Sequence, residues 1–244
     1  MSAYRLRQNG VDDMPRKPLG EVAMTATERQ RRWRANLSKA TKAKRRVQRR
    51  HAYAESNGDA YFTCPEAVIS FLHLERQYLP HALLEPCAGD GAISTLLEKT
   101  GYDVTTSDIR DHGLPGCQIG DYFKLAPPPE IEGIVTNPPF KRAQRFLEKA
   151  LADARYVALL LRSNFLLEGA GRTELLDRQH PPTRVWTADL RLPMMHRAGW
   201  TGKRASSNTA YSWVVWDQRA NAREFPRRFN WREICALPEW EGWL

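Results

Sequence analysis

The sequence predicts an α/β fold on a mostly parallel sheet, and three features carry that prediction. Short apolar runs alternate with helical stretches from Tyr61 to Asp217, a turn with two glycines directly follows the first run, and the last two runs lie close in sequence. Strand–helix alternation at this spacing means a parallel sheet covered on both faces. The closing pair reads as an antiparallel hairpin added at one edge. Seven strands follow in order: ALLEPC (82–87), YDVTTSDI (102–109), CQIGDYF (117–123), GIVTN (133–137), YVALLLRSNFL (156–166), RVWTADL (184–190) and TAYSWVVWD (209–217). Among the intervening helices, PEAVISFLHLERQYL is amphipathic and opens at Pro65, where a missing N–H is harmless. AISTLLEKTG and AQRFLEKALAD continue the alternation.

The flanks differ from this core. Residues 1–24 are polar and interrupted by MPRKPLG, so disorder is expected there. Residues 25–58 read as a basic helical extension, with Thr25 and Glu28 at capping-box spacing. From Glu28 to Arg50 there are eleven Lys or Arg against one acidic residue, a local net charge of +10 in a chain whose total is +9. The rest of the chain is therefore close to neutral, and the basic segment suits a polyanion, nucleic acid first. Residues 59–217 form the predicted domain, and 218–244 are expected to pack on it as a tail carrying Trp231, Trp240 and Trp243. No stretch has the length of a membrane span or the apolar core of a signal peptide. Four cysteines without a CxxC pair suggest a reduced, cytoplasmic protein with no metal site.

The chemistry begins at LLEPCAGDGAIS. Gly89 and Gly91 sit between a strand and a helix, where glycine permits a tight bend and close approach of a ligand. Ser94 stands where a dinucleotide fingerprint has its third glycine. Glu85 and Asp90 flank the turn; they would repel a pyrophosphate and suit a ligand with a cationic centre and an amino group. Asp108, at the end of the second strand, is placed to accept from ribose hydroxyls. Asp121, beside Tyr122 and Phe123, could accept from an adenine amine. S-adenosylmethionine has all three features. Each residue also has a plain structural reading: Glu85 as a helix-cap partner, Asp108 as a turn residue, Asp121 as a surface carboxylate.

GIVTNPPFKRA is the second feature. Two adjacent prolines cannot continue a strand, and each holds the residue before it extended. The stiff turn presents the Asn137 amide, the Pro138 carbonyl and the Phe140 ring at the end of a buried strand, an arrangement suited to a flat partner.

Glu85-Pro86-x-x-Gly89-x-Gly91, followed 46 residues after Gly91 by Asn137-Pro138-Pro139-Phe140, resembles the amino-methyltransferases, and particularly the DNA N6-adenine methyltransferases. YFTCPEAV, IVTNPPFKRAQRFLEKAL, LLLRSNFL and YSWVVWD are similar to segments of small phage and prophage adenine methylases, over roughly residues 60–217. The resemblance implies a Rossmann-like methyltransferase sheet and S-adenosylmethionine as cofactor. It implies that Phe62 and Thr63 contact the cofactor and that Asn137 and Pro138 accept the two hydrogens of an exocyclic amine. Phe140 then stacks on a flipped adenine and Phe165 presses on its other face; Phe165 also reads as a core aromatic at a strand end. Cys87 reads as a small packing residue.

Similar Asn-Pro-Pro-aromatic turns serve enzymes that methylate RNA bases or a protein glutamine, and a DNA-binding factor with a vestigial pocket is the non-enzyme alternative. DNA ranks first because of the basic segment and the way the helix after the turn continues. Neither the 45 residues between Gly91 and Asn137 nor the 27 after Asp217 can hold a separate recognition domain. The loop from Pro193 to Asn208, with Arg197, Trp200, Lys203 and Arg204, is the candidate reader, and short or relaxed sequence specificity is expected.

Overall fold

The computed structural model describes residues 63–194 and 209–244. The predicted disordered and basic segments, Phe62, and the reader residues Arg197, Trp200, Lys203 and Arg204 lie outside the described residues.

Eight strands form one sheet: β1 (Ala82–Glu85), β2 (Asp103–Asp108), β3 (Gln118–Ile119), β4 (Gly133–Thr136), β5 (Tyr156–Arg162), β6 (Arg184–Ala188), β7 (Tyr211–Asp217) and β8 (Arg227–Phe229). Their order is β3-β2-β1-β4-β5-β7-β6-β8. The first five are parallel to one another; β7 runs antiparallel to both β5 and β6; β8 is parallel to β6. The mostly parallel sheet with antiparallel C-terminal strands is as predicted, but it has eight strands where seven were expected. The additional strand, Arg-Arg-Phe, lies outside β6, so the hairpin is not the edge of the sheet. Three residues, two of them charged, carry no apolar alternation from which a strand can be read.

The helices are α1 (Pro65–Glu75), α2 (Ser94–Lys99), α3 (Ala143–Asp153), α4 (Asn164–Leu167) and α5 (Trp231–Cys235), with a π-helical segment at Thr173–Gln179. Strand β5 shows how they are used. Tyr156, Ala158 and Leu160 enter one core with Phe71, Leu97 and Trp213, while Val157, Leu159 and Leu161 enter the other with Phe146, Leu147 and Trp216. Side chains alternate across a strand, so covering both faces demands an unbroken apolar run. Phe71 and Trp213, both fully buried, meet with ring centroids 4.4 Å apart. Burying each such side chain contributes about 1.5–3 kcal/mol. No helix among the described residues is long and apolar enough to cross a membrane.

The end of the sheet where β5 and β6 begin holds a buried ionic cluster. Glu75, at the end of α1, accepts from Arg184 Nε at 2.8 Å, Tyr156 Oη at 2.9 Å and the Trp186 indole. Arg184 also reaches Asp217 at 3.3 Å, which Arg219 holds at 2.8 Å. A buried cluster with every charge paired fixes α1 to three strands and leaves the opposite, carboxyl ends of the parallel strands to carry loops.

Candidate active site

At those carboxyl ends, β1 runs into the glycine turn. Gly89 and Gly91 have φ of 57° and 81°, in the left-handed region that glycine adopts without strain. A Cβ on Gly91 would lie 2.6 Å from Leu114 Cδ1, a side-chain end that can move, so the positive φ is what reserves the position for glycine. Two contacts tie the turn to β2: Ala88 N donates to Ser107 O at 3.0 Å, and Gly89 N donates to Asp108 Oδ2 at 3.0 Å. Asp108 Oδ1 accepts from Arg110 N at 2.9 Å. Each of its oxygens thus accepts a backbone N–H, and His112 Nε2 lies 3.6 Å from Oδ1.

Glu85 is 1% exposed, and its Oε2 accepts from Ser94 N at 2.8 Å. It satisfies one of the orphan donors at the start of α2, which is the helix-cap reading. Burial pushes the Glu85 carboxyl well above the usual carboxylate range, against the bonds from Ser94 and with Asp90 and Asp108 adding to it. Asp90 is exposed at the tip of the turn. Desolvation, with Asp108 and Glu85 nearby, also pushes the Cys87 thiol up, so it is held protonated and is no nucleophile.

Gly120 N donates to Asp108 O at 2.8 Å, which brings Asp121 beside the end of β2. Its Oδ1 closes a turn on Phe123 N at 3.1 Å. Tyr122 requires a correction. Its ring stacks on Phe146 of α3 with centroids 5.5 Å apart, its hydroxyl donates to Asp153 Oδ2 at 2.7 Å, and it is 4% exposed. It offers no free face to a ligand, because an aromatic ring with an α3 carboxylate in reach is better buried with its hydroxyl satisfied.

Strand β4, hydrogen-bonded beside β1, ends at Thr136, and Asn137 follows it. The Asn137 Nδ2 donates to Thr63 Oγ1 at 3.2 Å, and Oδ1 is shielded from solvent. Thr63, just before α1, is 8% exposed, so two residues 74 positions apart meet at one strand end. Pro138 is buried, Pro139 is extended in ψ at 122°, and Phe140 opens the short helical turn that leads into α3. Two neighbours of Phe140 had no role in the sequence reading. The Arg162 guanidinium lies 4.2 Å from its ring centroid, and the Tyr211 ring lies 5.9 Å away. Arg162 could have been noticed as the one charge ending the apolar run of β5.

Phe165, on α4, is 9% exposed, and the Arg172 guanidinium lies 3.8 Å from its ring. Phe140, Arg162, Phe165 and Arg172 line one cavity of about 280 Å³ at the ends of β4 and β5. The two predicted base-facing aromatics therefore border a shared space.

No protein-family model matches the sequence, and no curated protein matches it. Solved structures do. A protein assigned as the modification subunit of a type I restriction enzyme from Vibrio vulnificus aligns with a TM-score of 0.50 at 12% identity, over 91% of this chain and 55% of that one. The fold is a Rossmann-like methyltransferase fold. The methyltransferase subunit of a type I restriction-modification system from Streptococcus thermophilus gives 0.49 at 11% identity, over 66% of this chain and 45% of that one. A protein assigned as an RNA methyltransferase from Pyrococcus horikoshii gives 0.48 at 16% identity, over 64% and 84%. The chain spans about half the length of the two restriction-system proteins.

Proposed function

We propose that this protein is a DNA adenine N6-methyltransferase of short or relaxed sequence specificity, using S-adenosylmethionine. The observation that carries the reading is the position of the Asn137–Phe140 turn. It ends β4, the sheet neighbour of β1, whose own end is the acid-flanked glycine turn. In open α/β sheets ligands bind beyond the carboxyl ends of the strands, and two such turns side by side suit a cofactor and an acceptor in contact.

The donor set fits the cofactor. Glu85, Asp90 and Asp108 gather carboxyl acceptors around the turn, with His112 3.6 Å from Asp108, which suits a ligand bearing an amine and hydroxyls and disfavours a pyrophosphate. Asp108 stands at the strand end for ribose hydroxyls, and Asp121 stands next to it for the adenine amine. When bound, S-adenosylmethionine supplies an electrophilic methyl group.

The chain's own residues prepare the acceptor. An exocyclic purine amine has its lone pair delocalised into the ring and is a poor nucleophile. The Asn137 side-chain oxygen and the Pro138 carbonyl accept its two hydrogens, which favours a pyramidal nitrogen and localises the lone pair. Thr63 orients the Asn137 amide from the other side. Phe140 and Phe165, with Arg162 and Arg172 against their rings, border the cavity that would take the base. Positioning and fixed dipoles supply the rate enhancement, so no strong base is needed before attack. A duplex adenine must leave the stack to reach the turn, at about a few kcal/mol.

RNA is the second reading, since the basic segment at residues 28–50 would bind either polymer. Transfer of a labelled methyl group from the cofactor to duplex DNA, to structured RNA and to a glutamine-bearing protein tests the choice. Label in DNA supports the proposal; label in RNA alone replaces the substrate; label in protein alone rejects a nucleic-acid acceptor.

A further inference from the structure

The cavity beside Phe140 holds more positive charge than amine chemistry needs. Lys141, Arg162 and Arg172 line it against one acid, Glu168. Two of the three cations sit over the two aromatic rings of the same cavity: Arg162 at 4.2 Å from the Phe140 centroid, Arg172 at 3.8 Å from that of Phe165. A cation over an aromatic face is attracted to it, and a guanidinium there still has N–H donors to offer.

Arg172 is the more informative. Among the described residues no carboxylate pairs with it, and its Nε is buried without a hydrogen-bond partner. The chain closes over it at Gly169, where φ is +128° and a Cβ would lie 3.2 Å from that Nε. Glycine at 169 thus lets the loop wrap the guanidinium onto Phe165. Desolvation by this packing lowers the Arg172 pKa.

We infer that this cavity includes a phosphodiester subsite, in which Arg172, held over Phe165, binds a nucleic-acid phosphate next to the target nucleotide. The planar fork of a guanidinium matches two phosphate oxygens, and a phosphate there supplies the missing acceptors. Such a contact fixes the register of the strand and carries no sequence information, which accords with relaxed specificity. Arg172 is a substrate-positioning residue; the reacting amine belongs to Asn137 and Pro138. The inference rests on a nucleic-acid acceptor, as proposed above, and is indifferent to whether the phosphate belongs to DNA or RNA.

The test compares the full-length chain with Arg172→Met and Arg172→Lys, using unmethylated duplex DNA and a structured RNA as separate substrates. Binding is measured across salt concentrations, alongside kcat, KM and cofactor affinity. Loss of one phosphate contact makes the slope of log K against log salt shallower by about 0.9 for duplex DNA, and about 0.7 for single strands. Arg172→Met is expected to show that change and to lower kcat/KM about tenfold through KM, the size of one charge-assisted hydrogen bond. Arg172→Lys keeps the wild-type slope with weaker binding. A wild-type slope in Arg172→Met, with melting temperature or cofactor affinity reduced instead, assigns Arg172 to packing and overturns the inference while leaving methyl transfer intact. A wild-type chain that methylates neither polymer rejects the parent reading and the subsite together.

Discussion

Asn137 and Gly91 show how single residues set the site. In the proposed mechanism Asn137 is an amide because an uncharged acceptor would take a hydrogen from the amine while its own Nδ2 remains donated to Thr63. Gly91 is fixed chiefly by its backbone angle. Gly91→Ala places a Cβ 2.6 Å from Leu114 in a conformation with φ of +81°. It is expected to cost about 1–3 kcal/mol in stability, the range for strained backbone, and to weaken cofactor binding by distorting the turn. Urea unfolding and calorimetry with S-adenosylmethionine measure the two effects. Unchanged cofactor affinity in the variant would remove the turn from the binding site. Tyr122 and Arg172 were the residues least legible in the sequence. An aromatic after a strand-end aspartate looks like a ligand's stacking partner; only the position of Asp153, 31 residues on, turns Tyr122 into the core. The partner of Arg172 is decided by the wrap at Gly169, which leaves no periodic trace.

Among the elements, α1 links the two ends of the sheet. Its N-terminal side delivers Thr63 to Asn137, and its last residue, Glu75, anchors the ionic cluster. Glu75→Ala leaves Arg184 buried beside only Asp217, and breaking a buried pair costs about 3–5 kcal/mol. The loss is expected in urea unfolding, whereas the folded fraction keeps its cofactor affinity because the cluster lies at the opposite end of the strands. Asp217 adds a pH dependence. Burial would raise its pKa, but the bonds from Arg219 and Arg184 prevail and hold it below its ordinary value of 3.8. A depressed carboxylate stabilises the fold above that value, and the contribution is lost as pH falls through the lower, folded one. Urea midpoints between pH 6 and pH 2.5, as a rough span around this pKa, should fall at the acid end, and Asp217→Asn should flatten that fall. An equal fall in the variant would place the acid sensitivity elsewhere. The sheet itself was largely readable, since strands buried on both faces show as unbroken apolar runs, of which β5 is the plainest. Strand β8 was not, because Arg227 and Arg228 pair through their backbones alone.

At the scale of the whole molecule, charge is separated from chemistry. The segment from Glu28 to Arg50 carries +10, while the remainder is close to neutral. We propose that this segment holds the polymer through its phosphates while the turn at Asn137 selects the base. Removing residues 1–55 is then expected to weaken DNA binding and flatten its salt dependence, with cofactor affinity retained. An unchanged salt slope would mean that the phosphate contacts come from elsewhere. The most direct measurement incubates the protein and S-adenosylmethionine with unmethylated duplex DNA, digests the DNA to nucleosides and assays them by mass spectrometry. N6-methyladenine is expected with the wild-type chain, and at least about 100-fold less with Asn137→Ala, the usual loss for a preorganised transition-state contact. Cofactor binding without any methylated base in DNA, or methylation that persists in Asn137→Ala, would contradict the assignment of this turn as the centre of adenine methylation.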